Sequence, residues 1–121
     1  MSKKIFIVDD SSSMRQLVRM TLREAGYEVQ EAFDGQDALQ KLQGNRVNLV
    51  ISDVNMPRMD GISLLRNLKQ DSAHRFTPVL MLTTESEQAK KAEGQAAGAK
   101  AWMVKPFQPA QLLAAVQKLT L

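Results

Sequence analysis

The chain has 121 residues, of which 44% are hydrophobic and 24% charged, and its formal net charge is +3 at pH 7. This length and composition predict one soluble globular domain spanning residues 1–121. The absence of cysteine excludes disulfides and thiolate zinc sites. No apolar run approaches the ~20 residues of a membrane span, and Met1–Lys4 lacks a signal-peptide pattern, which favours a cytoplasmic protein. The scattered positive charge suggests an acidic partner and gives no strong indication of nucleic-acid binding.

Predicted strands and helices alternate along the chain. Short apolar runs and partly alternating patterns predict five strands at Lys4–Val8, Tyr27–Ala32, Asn48–Ser52, Pro78–Leu82 and Lys100–Val104. Helical spacing predicts a helix after each strand, at residues 11–25, 34–44, 60–68, 85–97 and 109–119. Gly94 is expected to weaken the fourth helix, and Asp60 is expected to cap the third. We expect His74, in a polar connection, to be exposed and without a partner.

The alternation of five strands with five helices predicts an α/β fold with a parallel sheet covered by helices on both faces. We expect a flavodoxin-like, doubly wound sheet with strand order 2-1-3-4-5. In that order the first and third strands are neighbours in the centre of the sheet. Ligands of such sheets bind outside the carboxyl ends of the strands, so the residues that follow each strand are the candidates for function.

Polar side chains with complementary chemistry follow four of these strands. Asp9 and Asp10 follow the first strand, Asp53 the third, Thr83 the fourth and Lys105 the fifth. Three carboxylates in one crevice repel, and either a lysine or a hard divalent cation such as Mg²⁺ would relieve that repulsion. A carboxylate beside a metal, a lysine and a hydroxyl suits phosphoryl transfer, with the carboxylate as the nucleophile that forms an acyl phosphate.

The order of these motifs along the chain is specific, although each motif alone is weak. The motifs are Asp9-Asp10, Asp53 followed by Met56-Pro57 and Asp60-Gly61, Thr83, and Lys105-Pro106-Phe107. With them, all 121 residues resemble the receiver domains of response regulators, and more narrowly the stand-alone chemotaxis regulators of the CheY type.

The resemblance implies a role for each residue of the site. Asp53 would accept a phosphoryl group from a histidine kinase, and Thr83 and Lys105 would bind the phosphoryl oxygens. The implied Mg²⁺ ligands are Asp10, Asp53, the main-chain carbonyl of Asn55 and, through water, Asp9. The Lys105-Pro106 bond is expected to be cis. Asn55 and Glu85 stand at the positions that tune hydrolysis, and this pair implies an acyl phosphate that lasts seconds to minutes.

The resemblance also implies a switch and a docking face. Thr83 would move toward the phosphoryl group, and Trp102, at the aromatic switch position, would repack. The implied partner face carries Lys90, Lys91, Lys100, Trp102 and Lys118, and it would receive an acidic, partly apolar segment such as one from a flagellar motor switch protein. Most chemotaxis regulators have Tyr where Trp102 stands, and Lys91 and Gly94 also depart from their pattern. Simple packing of Trp102 and plain solvation of the lysines are the alternative interpretations.

Three functions are compatible with these residues. The first is a monomeric phospho-signalling switch in chemotaxis, which acts by protein contact and uses a kinase, a target and an additional phosphatase. The second is a phosphate sink or phosphorelay receiver without motor binding. The third is a Mg²⁺-dependent phosphohydrolase, which would need a carboxylate two residues after its nucleophile, where Asn55 stands. We therefore expect no enzyme activity beyond autocatalysed phosphoacceptance and autodephosphorylation, and neither nucleic-acid nor membrane partners.

Overall fold

The computed structural model describes residues 2–84 and 90–121. The elements in these ranges are β1 (Lys4–Val8), α1 (Ser12–Glu24), β2 (Glu28–Ala32), α2 (Gly35–Leu42), β3 (Leu49–Asp53), α3 (Gly61–Gln70), β4 (Val79–Thr83), α4 (Lys91–Ala97), β5 (Ala101–Val104) and α5 (Pro109–Leu119). The strands pair in parallel in the order β2-β1-β3-β4-β5, which confirms the predicted topology. In the described ranges, no helix has both the length and the apolar character that crossing a membrane requires.

Two central strands, β3 and β4, begin and end one residue later than the sequence predicts. Asp53 pairs with Leu82 as the last residue of β3, and Thr83 pairs with Val104 as the last residue of β4. Aspartate is depleted in strands, and both Asp53 and Thr83 interrupt an apolar run, so the pattern predicts that the loops begin there. The neighbouring strands continue the hydrogen-bond ladder through both residues, which holds these side chains at the edge of the sheet.

The sheet separates two apolar cores. Alternate residues of each strand point to opposite faces, so Phe6 and Val8 pack with α2 and α3, whereas Ile5 and Ile7 pack with α1 and α5. Strands β3 and β4 are buried along their whole length because helices cover both of their faces. This rigid double layer fixes the positions of the residues at the carboxyl ends of the strands.

Short polar side chains cap the N-termini of three helices, α1, α2 and α3. The side chains of Ser11, Asp34 and Asp60 accept hydrogen bonds from the backbone N–H three residues ahead, which satisfies a donor that the helix leaves unpaired. The distance from Asp60 Oδ1 to the Ser63 nitrogen is 2.8 Å. The prediction that Asp60 caps the third helix is therefore confirmed.

The expectation that His74 is exposed and unpartnered is wrong. Its side chain is buried, with Nδ1 3.1 Å from Asp71 Oδ2 and Nε2 3.1 Å from the carbonyl oxygen of Asn45. A carbonyl oxygen only accepts, so Nε2–H donates this bond. His74 thereby ties the connection after α3 to the connection before β3. Asn45 is 29 residues away in sequence, and no local pattern indicates this contact.

Gly94 has a packing role that its helix propensity does not indicate. A Cβ at this position would lie 3.1 Å from Trp102 Cη2 and still closer to Cζ3. The missing side chain therefore makes room for the indole ring between α4 and β5. The predicted start of the fourth helix at Glu85 lies outside the described residues.

The contact between Gly94 and Trp102 can be tested with a double-mutant cycle. We expect Gly94→Ala to lower the free energy of unfolding by about 1–3 kcal/mol, because the added methyl group overpacks the ring. In a Trp102→Leu background the same substitution should be neutral or stabilise the helix by up to about 1 kcal/mol, since alanine is the better helix former. Urea unfolding measures both values. An equal loss in the two backgrounds would refute the contact.

Candidate functional site

Three carboxylates meet at the carboxyl edge of the sheet. Asp9, Asp10 and Asp53 each offer an oxygen, and these oxygens lie within 4.8 Å of one another. Asp9 and Asp53 are buried, whereas Asp10 is exposed. Neighbouring strands β1 and β3 supply them, as the sequence predicts. The group is therefore open to solvent on the side of Asp10, and the carboxylates of Asp9 and Asp53 are buried beneath it.

Lys105 provides the cation that these carboxylates need. Its Nζ lies 3.1 Å from Asp53 Oδ1 and 3.7 Å from Asp9 Oδ2. The backbone N–H of Lys105 donates to the carbonyl oxygen of Thr83 at 2.6 Å, which holds the end of β5 against β4. The Lys105-Pro106 bond is cis, as predicted. The ammonium group thus reaches the site from two strands away.

The surroundings of Asp9 disfavour its charge. Burial raises the pKa of the Asp9 carboxyl above its usual value, although the N–H of Ser11 and the charge of Lys105 oppose this rise. The neighbouring carboxylate of Asp10 raises the pKa further. Asp9 Oδ2 is buried and accepts no hydrogen bond from any described residue. A divalent cation bound among the three carboxylates would satisfy this oxygen, so the donor set fits a hard metal ion.

Asp53 and Thr83 end adjacent strands. The N–H of Val54 donates to Asp53 Oδ1 at 3.0 Å, and the Thr83 hydroxyl donates to the carbonyl oxygen of Thr84 at 3.1 Å. Thr83 is fully buried. Its hydroxyl can rotate about a fixed Cβ, so a new acceptor at Asp53 could compete for its hydrogen.

The loop after β3 is tied down by contacts that the sequence does not reveal. Arg58 has a positive φ of 66°, and its Nε donates to Asp34 Oδ2 at 2.6 Å. Its guanidinium group also lies 5.4 Å from the centroid of the Phe33 ring. Asp34 is buried and starts α2. Arg58 therefore links the loop that follows Asp53 to α2. Because its partner Asp34 is distant in sequence, no local pattern indicates this role.

The ion pair of Arg58 with Asp34 should make stability depend on pH. Burial alone would raise the pKa of Asp34, but hydrogen bonds from the Asp37 N–H and Arg58 hold it below its ordinary value of 3.8. The stability from this lowered pKa is present above 3.8 and is lost as the pH falls through the folded-state pKa.

We expect Arg58→Met to lower the free energy of unfolding by about 1–2 kcal/mol at neutral pH, a value reduced for the exposure of the arginine. The difference from the wild type should shrink once the pH falls below ~4, as measured by urea unfolding over a pH series. Arg46→Met removes an exposed guanidinium that forms no ion pair with any described residue, and it serves as the control. A difference that stays constant down to the acid transition would contradict the role of Asp34.

The structure divides the lysines predicted to form one partner face. Lys90 Nζ donates to Asn55 Oδ1 at 3.3 Å, so this ammonium lies beside the acidic site. Lys100 and Lys118 line one cavity at the opposite edge of the sheet, and Lys91 is exposed at the start of α4. Glu85, the predicted partner of Asn55 in tuning hydrolysis, lies outside the described residues.

Comparison with known proteins finds relatives that align with nearly the whole chain. The family profile described as the response regulator receiver domain matches residues 5–117. The chain is 42% identical over 117 residues to the chemotaxis protein CheY-3 of Vibrio cholerae serotype O1, and the alignment covers 96% of this chain and 90% of that protein.

Two solved structures extend the comparison. The chemotaxis response regulator CheY4 of Vibrio cholerae superimposes with a TM-score of 0.93 at 50% identity, covering 98% of this chain and 99% of that chain. The receiver domain of the sensor histidine kinase PA1611 from Pseudomonas aeruginosa PAO1 superimposes with a TM-score of 0.91 at 26% identity, covering 99% and 98% of the two chains. That structure was solved with a magnesium ion coordinated in its active-site cleft.

Proposed function

Because the chain belongs to the response regulator receiver domain family, we propose that it is a phospho-signalling switch in which Asp53 accepts a phosphoryl group from a histidine kinase. One observation carries this proposal: the buried carboxylate of Asp53 faces the Lys105 ammonium at 3.1 Å beside two further carboxylates. The Asp53 oxygen attacks phosphorus, the bond between phosphorus and the donor atom breaks, and an acyl phosphate forms. The Lys105 ammonium neutralises part of the charge that spreads over the phosphoryl oxygens, and a metal held by the carboxylates would neutralise more of it.

We assign Mg²⁺ as the cofactor of this reaction. Asp10, Asp53 and the main-chain carbonyl of Asn55 would hold it, with Asp9 acting through water. When bound, the ion supplies positive charge for the phosphoryl oxygens and relieves the repulsion among the carboxylates. The buried Oδ2 of Asp9, which accepts no hydrogen bond from a described residue, and the magnesium in the related receiver domain of PA1611 support this assignment.

The signal leaves the site through Thr83 and Trp102. A phosphoryl group on Asp53 adds charge and acceptor oxygens, and the Thr83 hydroxyl turns toward them. The Trp102 ring then repacks against α4. Trp102 Nε1 is buried without a hydrogen-bond partner among the described residues, a state that costs about 1–3 kcal/mol. A rearrangement that gives this N–H an acceptor would recover part of that cost, which favours the ring as the moving element.

The target is a protein that recognises the phosphorylated form, and chemotaxis is the favoured process. The similarity to CheY-3 and CheY4 over nearly the whole chain supports an output at the flagellar motor switch or a related target, on the face of Lys91 and Trp102. The second candidate function is a phosphate sink or relay without a motor target. The packing of Trp102 against Gly94 favours this second function, because the pair changes the surface that a motor segment would contact.

Two measurements test the proposal. Incubation with acetyl phosphate and Mg²⁺ should add one phosphoryl group, and Asn55 with Glu85 should limit its lifetime to seconds or minutes; a half-life of many hours would contradict that tuning. Beryllofluoride, which mimics the phosphoryl group on an aspartate, should change the fluorescence of Trp102, the only tryptophan.

The same analogue separates the two candidate functions. A motor switch peptide that binds only when beryllofluoride is present supports the chemotaxis output. Failure of the peptide to bind, with a normal fluorescence response, favours the phosphate sink. Turnover of a generic phosphomonoester would instead indicate a phosphohydrolase.

A further inference from the structure

A positively charged cavity lies at the edge of the sheet where the strands begin, opposite Asp53. Its volume is about 510 Å³. Four cations and two apolar side chains are among its lining residues: Lys69, Arg75, Lys100, Lys118, Phe76 and Leu119. Lys100 directly precedes β5, whereas Lys105 follows it, so the length of a strand, ~13 Å, separates the cavity from the phosphoacceptor site.

The positive charges of this cavity have no counter-ion among the residues that the structure describes. Within residues 2–84 and 90–121, none of the four cations forms an ion pair with a carboxylate at 4.0 Å or less. Lys69 Nζ donates to the carbonyl oxygens of Arg75 at 3.2 Å and Thr77 at 2.8 Å, which fixes the ammonium at the cavity. Burial lowers the pKa of Lys69, and the nearby charge of Lys100 lowers it further. An anion in the cavity would relieve this repulsion.

The cavity also has an apolar side. The Phe76 side chain is 87% exposed, and the Arg75 guanidinium lies 5.7 Å from its ring centroid. Leu119 is half-buried next to it. Phe76 and Leu119 give the cavity a small apolar surface directly beside its positive charges. A ligand that fills this cavity therefore combines negative charge with an apolar group.

We propose that this cavity binds an acidic peptide segment of a partner protein. Its carboxylates would pair with Lys69 and Lys100, and an apolar side chain of the segment would cover Phe76. A small inorganic anion would leave the Phe76 ring in water. Binders of single-stranded nucleic acid stack successive bases on several aromatic rings along a basic groove, whereas one ring lines this cavity. Charge complementarity and the single apolar contact thus favour a short acidic segment.

This inference goes beyond the phosphorylation switch and does not depend on it. The cavity and Asp53 lie at opposite edges of the sheet, and none of the cavity residues belongs to the acidic site. Peptide binding can therefore be measured on the unphosphorylated chain. A failure of this proposal would leave the phosphorylation of Asp53 unaffected, and a failure of phosphorylation would leave this proposal intact.

Fluorescence anisotropy of a labelled peptide tests the inference on the whole chain. The probe is the peptide Glu-Asp-Leu-Glu-Phe-Glu, and its control is Gln-Asn-Leu-Gln-Phe-Gln. We expect the acidic peptide to bind, its affinity to fall with rising salt, and the neutral peptide not to bind. The double variant Arg75→Glu with Lys100→Glu should weaken binding about tenfold or more, because two attractive charges become repulsive.

The matched control is a double variant that changes the net charge by the same amount, at residues that do not line the cavity. Lys3→Glu with Arg23→Glu alters two exposed cations, and it should change the affinity by less than about twofold. Both double variants should unfold cooperatively and accept phosphate at the wild-type rate, which shows that the fold is intact. Amide shifts of Phe76 and Gly98 in nitrogen-15 NMR spectra would place the peptide in the cavity.

Several outcomes would overturn the inference. One is an equal loss of affinity in the control pair, which would indicate attraction to the overall charge. Another is binding of the neutral peptide with the affinity of the acidic one. Binding of a poly-dT oligonucleotide or of inorganic phosphate, with no binding of the acidic peptide, would assign the cavity to a different class of ligand.

Discussion

We expect Asp53→Asn to abolish phosphorylation by acetyl phosphate while leaving the fold intact. The amide nitrogen and oxygen have the shape of the carboxylate but lack the nucleophilic charge, so no acyl phosphate forms. The variant also removes one of three clustered carboxylates, and we expect the affinity for Mg²⁺ to fall with it. Intact-protein mass spectrometry under native conditions measures the phosphoryl group, and a thermal shift on addition of Mg²⁺ measures the metal.

A neighbouring aspartate provides the matched control. Asp60→Asn removes a carboxylate from the same loop, and asparagine caps a helix as well as aspartate does. This variant should accept the phosphoryl group and respond to Mg²⁺ like the wild type. Phosphorylation of Asp53→Asn at the wild-type rate, or its loss in Asp60→Asn, would show that Asp53 is not the acceptor.

Gly61→Ala should produce the largest loss of stability among single added methyl groups near the site. A Cβ on Gly61 would overlap the carbonyl oxygen of Asp53, and it would lie 2.7 Å from Met81 Cε. The Gly61 N–H donates to the Val54 carbonyl oxygen at 2.8 Å, so the start of α3 cannot move away without breaking this bond. We expect the free energy of unfolding to fall by about 3 kcal/mol, the upper end for an overpacked core.

Gly61→Ala should impair the acidic site as well as destabilise the core. Moving the Asp53 carbonyl displaces the backbone of the proposed phosphoacceptor, so phosphorylation should slow and Mg²⁺ should bind more weakly. Gly44→Ala separates clash from backbone strain, because Gly44 has a positive φ of 67° but open space around an added Cβ. Gly44→Ala should cost about 1 kcal/mol and leave phosphorylation unchanged. A loss in Gly61→Ala no larger than that in Gly44→Ala, with phosphorylation unchanged, would refute the clash with Asp53.

Local sequence patterns predict the topology and the residues that end the strands, because both depend on periodicity and on order along the chain. Parallel strands bring their carboxyl ends to one edge, so Asp9, Asp10, Asp53 and Lys105 could be placed together before any distance was known. Strands β3 and β4 each begin and end one residue later than predicted. At the carboxyl ends, the hydrogen-bond ladder of the neighbouring strands overrides the polar side chain.

Contacts between segments far apart in sequence could not be predicted in this way. The pairing of Arg58 with Asp34 and the burial of His74 against Asn45 depend on how loops meet in space. From the sequence alone, Gly94 is expected to weaken helix α4. In the structure, its lack of a side chain leaves the space that the Trp102 ring on β5 occupies. In each case the role of the residue depends on a partner in another segment of the chain, and local sequence patterns do not indicate that partner.

The fit of Trp102 against Gly94 constrains the order in which these positions can change during evolution. A lineage that first replaces Gly94 passes through an intermediate in which a side chain collides with the indole ring. A lineage that first replaces Trp102 with a smaller residue avoids that intermediate, and position 94 then becomes free to vary. The two positions are therefore epistatic, and tryptophan grafted into a relative with a side chain at the equivalent of position 94 should be tolerated only when glycine is introduced with it.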